Sequence, residues 1–129
     1  MSLTFAEFSK ANRRRCEHPE GFNHPLSGWS TSDWFVAIMG ELGEAANIVK
    51  KLNRVRDGIP GNDEDAATLH AKLRKEIGDV YVYLDLAAQS CGIVLEHAAV
   101  EVFDGKSEKI GYPHMLDPVN QAFTERVVP

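Results

Sequence analysis

The sequence predicts an all-α protein, a four-helix bundle, on the basis of three observations. Two stretches, residues 38–52 and 73–87, place apolar residues at helical intervals and with identical spacing. The predicted apolar stripes are Ile38, Leu42, Ala45, Val49 and Leu52 in the first stretch, and Leu73, Ile77, Val80, Leu84 and Ala87 in the second. Helix-capping residues precede the apolar runs, and clusters of glycine and proline separate them. A chain of 129 residues with 43% hydrophobic content suits one domain with a real core. We therefore predict a single domain over residues 1–129.

Each predicted helix is bounded by residues that start or stop helices. Thr4 and Glu7 form a capping box before the first apolar run, and residues 30–33 offer several N-caps before the second. Gly92 is expected to end the third helix as its C′ residue. The predicted helices cover residues 5–16, 32–54, 65–91 and 95–109. The residues expected to face inward on the fourth helix are Ala98, Val102 and Phe103.

The segment between the first two helices, residues 17–29, contains two prolines and two glycines and is predicted to be a structured loop. His24, Trp29 and Trp34 bring aromatic and polar edges to the start of the second helix. A nucleobase could stack there, although filling of the core explains both tryptophans equally well. We take His24 and Trp34 as candidate substrate-binding residues.

The two matching stretches also carry paired acids. If residues 38–52 and 73–87 pack by their apolar stripes, Glu41 and Glu76 lie roughly 60° from the stripe centre and Glu44 and Asp79 roughly 120° from it, all in the same rotational sense. The packed helices would then direct these carboxylates into one space. Like charges repel there unless a cation binds, and an all-oxygen ligand set suits Mg²⁺ or Mn²⁺ better than zinc or copper.

A pair of solvated helix faces is the alternative for these acids. Glu41 and Glu44 have no lysine or arginine three or four residues away, whereas Lys72 and Lys75 each lie four residues before an acid of the second pair. The first pair therefore lacks local neutralisation. Gly40, Gly43 and Gly78 flank the acids inside the helices, where a missing side chain would let another helix or a ligand approach the backbone.

Basic residues follow the first acidic pair near the end of the second helix. Lys51 and Arg54 are candidates for binding phosphates, and compensation of the helix dipole is at least as good an explanation for them. The three consecutive arginines at residues 13–15 point in different directions around a helix, so most of them are expected to be solvated.

The motifs Glu-Leu-Gly-Glu at residues 41–44 and Glu-Ile-Gly-Asp at residues 76–79 together resemble those of the MazG-like, all-α nucleoside triphosphate pyrophosphohydrolases. This superfamily includes dCTP pyrophosphatases, dimeric dUTPases and phosphoribosyl-ATP pyrophosphatases. The resemblance covers roughly residues 22–113, leaving a tail at 114–129, and the segment between the motifs is longer than is usual for the family.

The resemblance implies a helical domain that binds Mg²⁺ and hydrolyses a nucleoside triphosphate between its α and β phosphates. It implies metal binding by Glu41, Glu44, Glu76 and Asp79. Tyr83 lies one turn beyond the second motif as in the dCTP-type members, which makes it a candidate substrate-binding residue. Glu41 or Glu44 is expected to orient the attacking water as well. Relatives also use a lysine of the last helix to bind phosphates. The available lysines there are Lys106 and Lys109, of which we take Lys106 as the candidate.

Two other interpretations stay open at this stage. A carboxylate-bridged di-iron bundle also places acids on facing helices, but it uses Glu-x-x-His, and acids stand three residues after Glu41 and Glu76. A helical interaction protein with a purely structural metal site is the non-enzymatic alternative.

Composition narrows the expected partners and location. The net charge of −5, without a basic stripe, argues against nucleic-acid binding and leaves small anionic substrates possible. No apolar run approaches a membrane span, and the N-terminus lacks a signal pattern, so we expect no membrane partner and a cytoplasmic protein. Apolar residues on more than one side of the third helix predict a homodimer or a dimer of dimers.

Overall fold

The computed structural model describes residues 2–116 and 123–124 and is built from helices. Its elements are helix α1 (Phe5–Glu17), a 3₁₀ turn (Leu26–Gly28), helices α2 (Thr31–Arg56), α3 (Ala66–Ser90) and α4 (Leu95–Ile110), and strands β1 (Met115–Leu116) and β2 (Phe123–Thr124). The two short strands pair antiparallel. The prediction of an all-α fold with four main helices is confirmed.

Local capping explains where the helices begin and end. Thr4 caps α1 in the predicted capping box, in which its backbone and hydroxyl both donate to Glu7 at 2.8 Å. Ser30 and Asp33 form a second capping box, so α2 begins at Thr31, one residue earlier than predicted. Gly92 has a φ of 69°, the left-handed conformation expected for the residue that follows α3.

Helices α2 and α3 pack as an antiparallel hairpin along two matching seams, each a set of partly or fully buried side chains. The spacing along both seams alternates between four and three residues, as in helices packed at a small crossing angle. The α2 seam comprises Trp34, Ile38, Glu41, Ala45, Ile48 and Leu52, and the α3 seam comprises Leu69, Leu73, Glu76, Val80, Tyr83 and Ala87. Each seam therefore carries one acid in its middle, at the position where an apolar residue would ordinarily lie.

The predicted apolar stripe was wrong in part. Leu42, Val49 and Ile77 were expected to pack between the helices, yet they are 48%, 39% and 57% exposed. Relative to the prediction, both helices are rotated about their own axes. This orientation buries Trp34 and Leu69 and places the three residues at the side of the helix pair. The same rotation brings the carboxylates closer to the seam than predicted.

Helix α1 packs against α3, and the buried Asp85 of α3 holds it in place. The carboxylate of Asp85, 1% exposed, accepts hydrogen bonds from the Ser9 hydroxyl, from Asn12 Nδ2 at 2.9 Å and from Gln89 Nε2 at 3.0 Å. Asn12 Nδ2 also donates to the Val82 carbonyl at 3.0 Å. This network sets the position of α1, whose C-terminal end reaches the site described below.

Helix α4 turns away from the hairpin, at a bend of 99° from α3. Ala98 is half-buried, but the expectation that Val102 and Phe103 face inward was wrong, because they are 72% and 39% exposed. Asp104 instead accepts a hydrogen bond from the backbone N–H of Leu116 at 2.8 Å, which ties β1 to α4. Most of the predicted extended tail lies outside the described residues.

Within the described ranges, none of the helices alone has the length and hydropathy of a membrane span. Helices α3 and α4 meet that criterion only as a bent pair.

Candidate functional site

A cluster of three glutamates lies midway along the α2–α3 hairpin. One carboxylate oxygen from each of Glu41, Glu44 and Glu76 lies within 4.8 Å of the other two. Glu41 and Glu76 are half-buried because they occupy the seams, and Glu44 is exposed one turn further along α2. Glu76 Oε2 is buried and has no hydrogen-bond partner within residues 2–116. A buried carboxylate oxygen without a donor is costly, so the site favours a bound cation.

The electrostatics of the cluster also favour a bound cation. Burial raises the pKa of Glu41 above its ordinary value, and the charges of Glu44, Asp79 and Glu76 raise it further. The pKa of Glu76 is also raised, first by burial and then by the neighbouring Glu44 and by Asp79. Protons therefore bind these carboxylates more tightly than isolated ones when no metal is present, and a divalent cation would relieve the same repulsion.

Asp79, the fourth predicted ligand, lies beside the cluster. It is not among the three residues whose oxygens lie within 4.8 Å of one another. Its charge nevertheless acts on both Glu41 and Glu76, and it lines the same cavity as Glu41. The structure thus brings three predicted ligands together and places the fourth at the edge of the adjoining cavity.

That cavity has a volume of about 480 Å³ and joins the acids to a group of aromatic rings. The ring centroid of Trp29 lies 4.9 Å from that of His24 and 4.6 Å from that of Trp34. The rings of Trp29 and Tyr83 are nearly parallel, at 6° and 6.5 Å. The cavity is lined by Arg15, Cys16, Phe22, His24, Trp29, Trp34, Glu41, Asp79, Val82, Tyr83 and Leu86. The predicted substrate residues His24, Trp34 and Tyr83 therefore share one cavity with two predicted metal ligands.

Trp34 both fills the core and forms part of the cavity wall, the two roles considered for it from the sequence. Its side chain is 2% exposed and belongs to the core, and its indole Nε1 donates to the Leu26 carbonyl at 3.4 Å. Its ring nevertheless forms part of the cavity wall. His24 is half-buried, and its Nδ1 is buried without a hydrogen-bond partner among the residues that the structure describes. Flat aromatic faces are thus available to a ligand in the cavity.

Sequence reasoning missed the contribution of α1. Of the three consecutive arginines, Arg13 pairs with Glu17 at 2.5 Å, whereas Arg15 lines the cavity with its guanidinium 5.3 Å from the centre of the Phe22 ring. Arg15 is the only lysine or arginine among the cavity-lining residues. No sequence pattern separates Arg15 from its neighbours, because its direction depends on how Asn12 docks α1 onto α3.

The other predicted phosphate-binding residues lie elsewhere. Lys51 Nζ lies 3.9 Å from Glu64 Oε1, and Arg54 Nη2 donates to the Pro60 carbonyl at 2.6 Å. Both side chains therefore contact the loop that connects α2 to α3. Lys106 lines an apolar groove on α4. None of the three lines the aromatic cavity, and their binding of phosphates stays a prediction.

The helical glycines leave open space. A Cβ atom on Gly40, Gly43 or Gly78 would meet no other atom within 4 Å. The expectation that a neighbouring helix approaches these positions is therefore not met by the described part of this chain, and a ligand or another chain has room there.

The donor chemistry of the cluster fits a hard divalent cation. All three side chains offer carboxylate oxygens, which suit Mg²⁺, Mn²⁺ or Ca²⁺, and in the described residues the cluster includes neither histidine nor cysteine. Comparisons with protein-family models, curated proteins and solved structures find no match to this chain.

Proposed function

We propose that this protein is a Mg²⁺-dependent nucleoside triphosphate pyrophosphohydrolase that cleaves between the α and β phosphates. One observation carries the proposal: a carboxylate cluster and an aromatic cavity adjoin, with Glu41 belonging to both. A nucleotide presents matching parts, a flat base at one end and a metal-binding polyphosphate at the other. The volume of about 480 Å³ is within the range of small-molecule sites.

The paired acidic motifs add independent support. Residues 41–44 and 76–79 resemble the motifs of the MazG-like superfamily, and the facing positions of Glu41 and Glu76 on an antiparallel hairpin fit that resemblance. The same resemblance supports hydrolysis at the α phosphorus. The products would be a nucleoside monophosphate and pyrophosphate.

Each acid has a proposed role. Glu41, Glu44, Glu76 and Asp79 would hold Mg²⁺, with Mn²⁺ as a substitute. When bound, the metal would neutralise phosphate oxygens and stabilise the charge that develops during displacement. Glu41 or Glu44 would orient the attacking water and accept its proton.

The cavity would bind the nucleoside. Trp29 and Tyr83 offer parallel ring faces for stacking, and the imidazole of His24 lines the same cavity beside them. Arg15, held over Phe22, supplies a positive charge at the cavity wall. These groups would position the substrate so that its phosphates reach the carboxylates.

A panel of canonical and modified nucleoside triphosphates tests the proposal. Each is incubated with the protein and Mg²⁺, and pyrophosphate and nucleoside monophosphate are quantified. We expect equal amounts of both products from at least one substrate, no reaction in EDTA, and none with Glu44→Gln. Absence of turnover across the panel would rule the proposal out.

A structural metal site is the second candidate, because a cation alone would satisfy the buried Glu76 Oε2, which has no donor among the described residues. In that case Mg²⁺ would raise the melting temperature without any turnover. The di-iron alternative has less support, since the described carboxylate cluster contains no histidine.

A further inference from the structure

A second groove lies on the side of α3 that faces away from α2. At 100° per residue, Arg74, Gly78 and Tyr81 lie roughly 120–180° from the middle of the α3 seam. Phe8 of α1 reaches the same groove, which has a volume of about 680 Å³. The carboxylate cluster lies at the seam, so this back groove is a separate space on the opposite side of α3.

Aromatic rings form one end of the back groove. The ring centroid of Tyr81 lies 5.2 Å from that of Phe8 and 6.3 Å from that of Phe5. Phe8 and Tyr81 are half-buried, and Phe5 is 50% exposed. These rings therefore retain exposed surface against which a flat ligand can stack.

Two cations, Arg74 and Lys75, form the other end of the back groove. Both are exposed, and neither side chain forms an ion pair within residues 2–116. Lys72 on the same helix differs, because it pairs with Glu64. Neighbouring cations without a counter-charge repel each other, so a bound anion is stabilised there. The back groove thus offers positive charge on a chain whose net charge is −5.

Gly78 forms the floor between the two ends. A Cβ atom at Gly78 would meet no other atom within 4 Å, so the space above it is open. Arg74 and Tyr81 lie four residues before and three residues after it, which separates the two ends by about 10 Å along the helix. A nucleoside monophosphate has a flat ring and a phosphate joined by a sugar, and its phosphate carries about −1.5 to −2 charges at neutral pH. Its shape and charge therefore match the rings, the open floor and the two cations.

The back groove and the aromatic cavity share a wall, because Asp79 and Val82 line both. Lys75 lies one turn before Asp79 on α3. An anion that neutralises Lys75 and Arg74 makes the surroundings of Asp79 more negative, which favours a divalent cation at the carboxylate cluster. By linkage, a cation at the cluster favours the anion in the groove to the same extent.

We propose that the back groove binds a nucleoside monophosphate, with the base against Phe8 and Tyr81 and the phosphate at Arg74 and Lys75. Its binding strengthens metal binding at the carboxylate cluster through Asp79. The site itself does not depend on catalysis. Only the regulatory meaning rests on the proposed function, since the ligand would then be a product that acts back on the metal site.

Equilibrium dialysis in EDTA tests binding without metal or turnover. The probes are AMP, GMP, CMP, UMP and their deoxy counterparts, with inorganic phosphate as the ligand that lacks a ring. The protein carries Trp29→Ala, which removes a stacking face from the aromatic cavity. We expect saturable one-to-one binding of at least one nucleotide, and at least tenfold weaker binding of inorganic phosphate. Absence of saturable nucleotide binding, or equal binding of inorganic phosphate, overturns the proposal.

Matched substitutions locate the bound nucleotide. Lys75→Glu reverses a charge in the groove, and Gly78→Gln fills its floor with a residue that favours helix more than glycine does. Each should weaken binding at least tenfold with unchanged helicity by circular dichroism. Lys50→Glu makes the same charge change at an exposed position of α2 and should alter binding less than twofold. The proposal is wrong if both groove variants bind normally, or if Lys50→Glu weakens binding as much as Lys75→Glu.

A metal titration tests the coupling. Free Mn²⁺ is measured by electron paramagnetic resonance, with and without a saturating concentration of the nucleotide that binds best. The nucleotide should tighten Mn²⁺ binding at least twofold in the Trp29→Ala protein and leave it unchanged when Gly78→Gln is added. Unchanged or weaker Mn²⁺ binding in the protein with an intact groove overturns the coupling through Asp79.

Discussion

Replacing Asp85 by alanine should destabilise the fold by releasing α1 from α3. The Asp85 carboxylate accepts hydrogen bonds from Ser9, Asn12 and Gln89, and it is 1% exposed. The substitution leaves these donors on α1 and α3 without their acceptor. Because Asn12 is 4% exposed, water cannot fully replace the lost contact.

The expected cost follows from the three contacts. A hydrogen bond to a charged group contributes about 1.5–3 kcal/mol, and the Ser9 and Gln89 bonds are only partly buried, so we expect a loss of about 3–5 kcal/mol in the free energy of unfolding. For a domain of this size, that corresponds to a fall of roughly 10–20 °C in melting temperature. Circular dichroism measures the free energy of unfolding by chemical denaturation and the melting temperature by thermal denaturation.

A control and a coupling experiment separate the buried network from general damage. Ser9→Ala removes one donor at the edge of the network and should cost about 1 kcal/mol. In a double-mutant cycle, Asn12→Ala and Asp85→Ala should show a coupling energy of at least 1 kcal/mol. If Asp85→Ala costs less than 1 kcal/mol, or the two substitutions are additive, the assignment of α1 docking to this network is refuted.

Three further predictions concern the site. Glu44→Gln and Asp79→Asn should each abolish turnover while the melting temperature without metal stays within a few degrees, measured by pyrophosphate release and thermal unfolding. Burial and neighbouring charges raise the folded-state pKa of Glu41 and Glu76 above the ordinary glutamate value of 4.5, so both groups bind protons more tightly in the folded than in the unfolded protein. As pH falls from neutral toward that ordinary value, metal-free stability should therefore rise and the stabilisation by Mg²⁺ should shrink. If neither metal-free stability nor the stabilisation by Mg²⁺ changes with pH, this prediction is wrong. Trp29→Ala should raise KM about tenfold or more with a smaller change in kcat, because it removes a stacking face without touching the acids.

The helices were largely predictable because their boundaries depend on local chemistry. Thr4, Ser30 and Gly92 act on the backbone within a few residues, so capping can be recognised from the sequence alone. The meeting of Glu41 with Glu76 was also predictable, because both acids hold the same position relative to their apolar neighbours.

The rotation of α2 and α3 was not predictable by the same reasoning. The sequence of α2 contains two apolar stripes, one through Ile48 and one through Leu42, and periodicity alone ranks them nearly equally. The structure buries the stripe that contains Trp34 and includes Glu41 in the seam. A seam containing an acid is disfavoured by desolvation, so it is expected only where the acid has a function.

The arrangement of the cavity depends on long-range contacts. Arg15 and Trp29 enter the cavity because α1 and the following loop fold back on α3, which no local pattern specifies. The site residues on the α2–α3 hairpin and His24 in the loop before it could therefore be predicted, whereas Arg15 on α1 could not.

Hydrolysis in ¹⁸O-labelled water tests the central claim most directly. The protein, Mg²⁺ and the best substrate of the panel are incubated in labelled water. The products are then separated, and the ¹⁸O content of each is measured by mass spectrometry. Attack at the α phosphorus predicts one ¹⁸O atom in the nucleoside monophosphate and none in pyrophosphate. Label in pyrophosphate, or accumulation of nucleoside diphosphate, would place the attack elsewhere and contradict the function proposed for the carboxylate cluster.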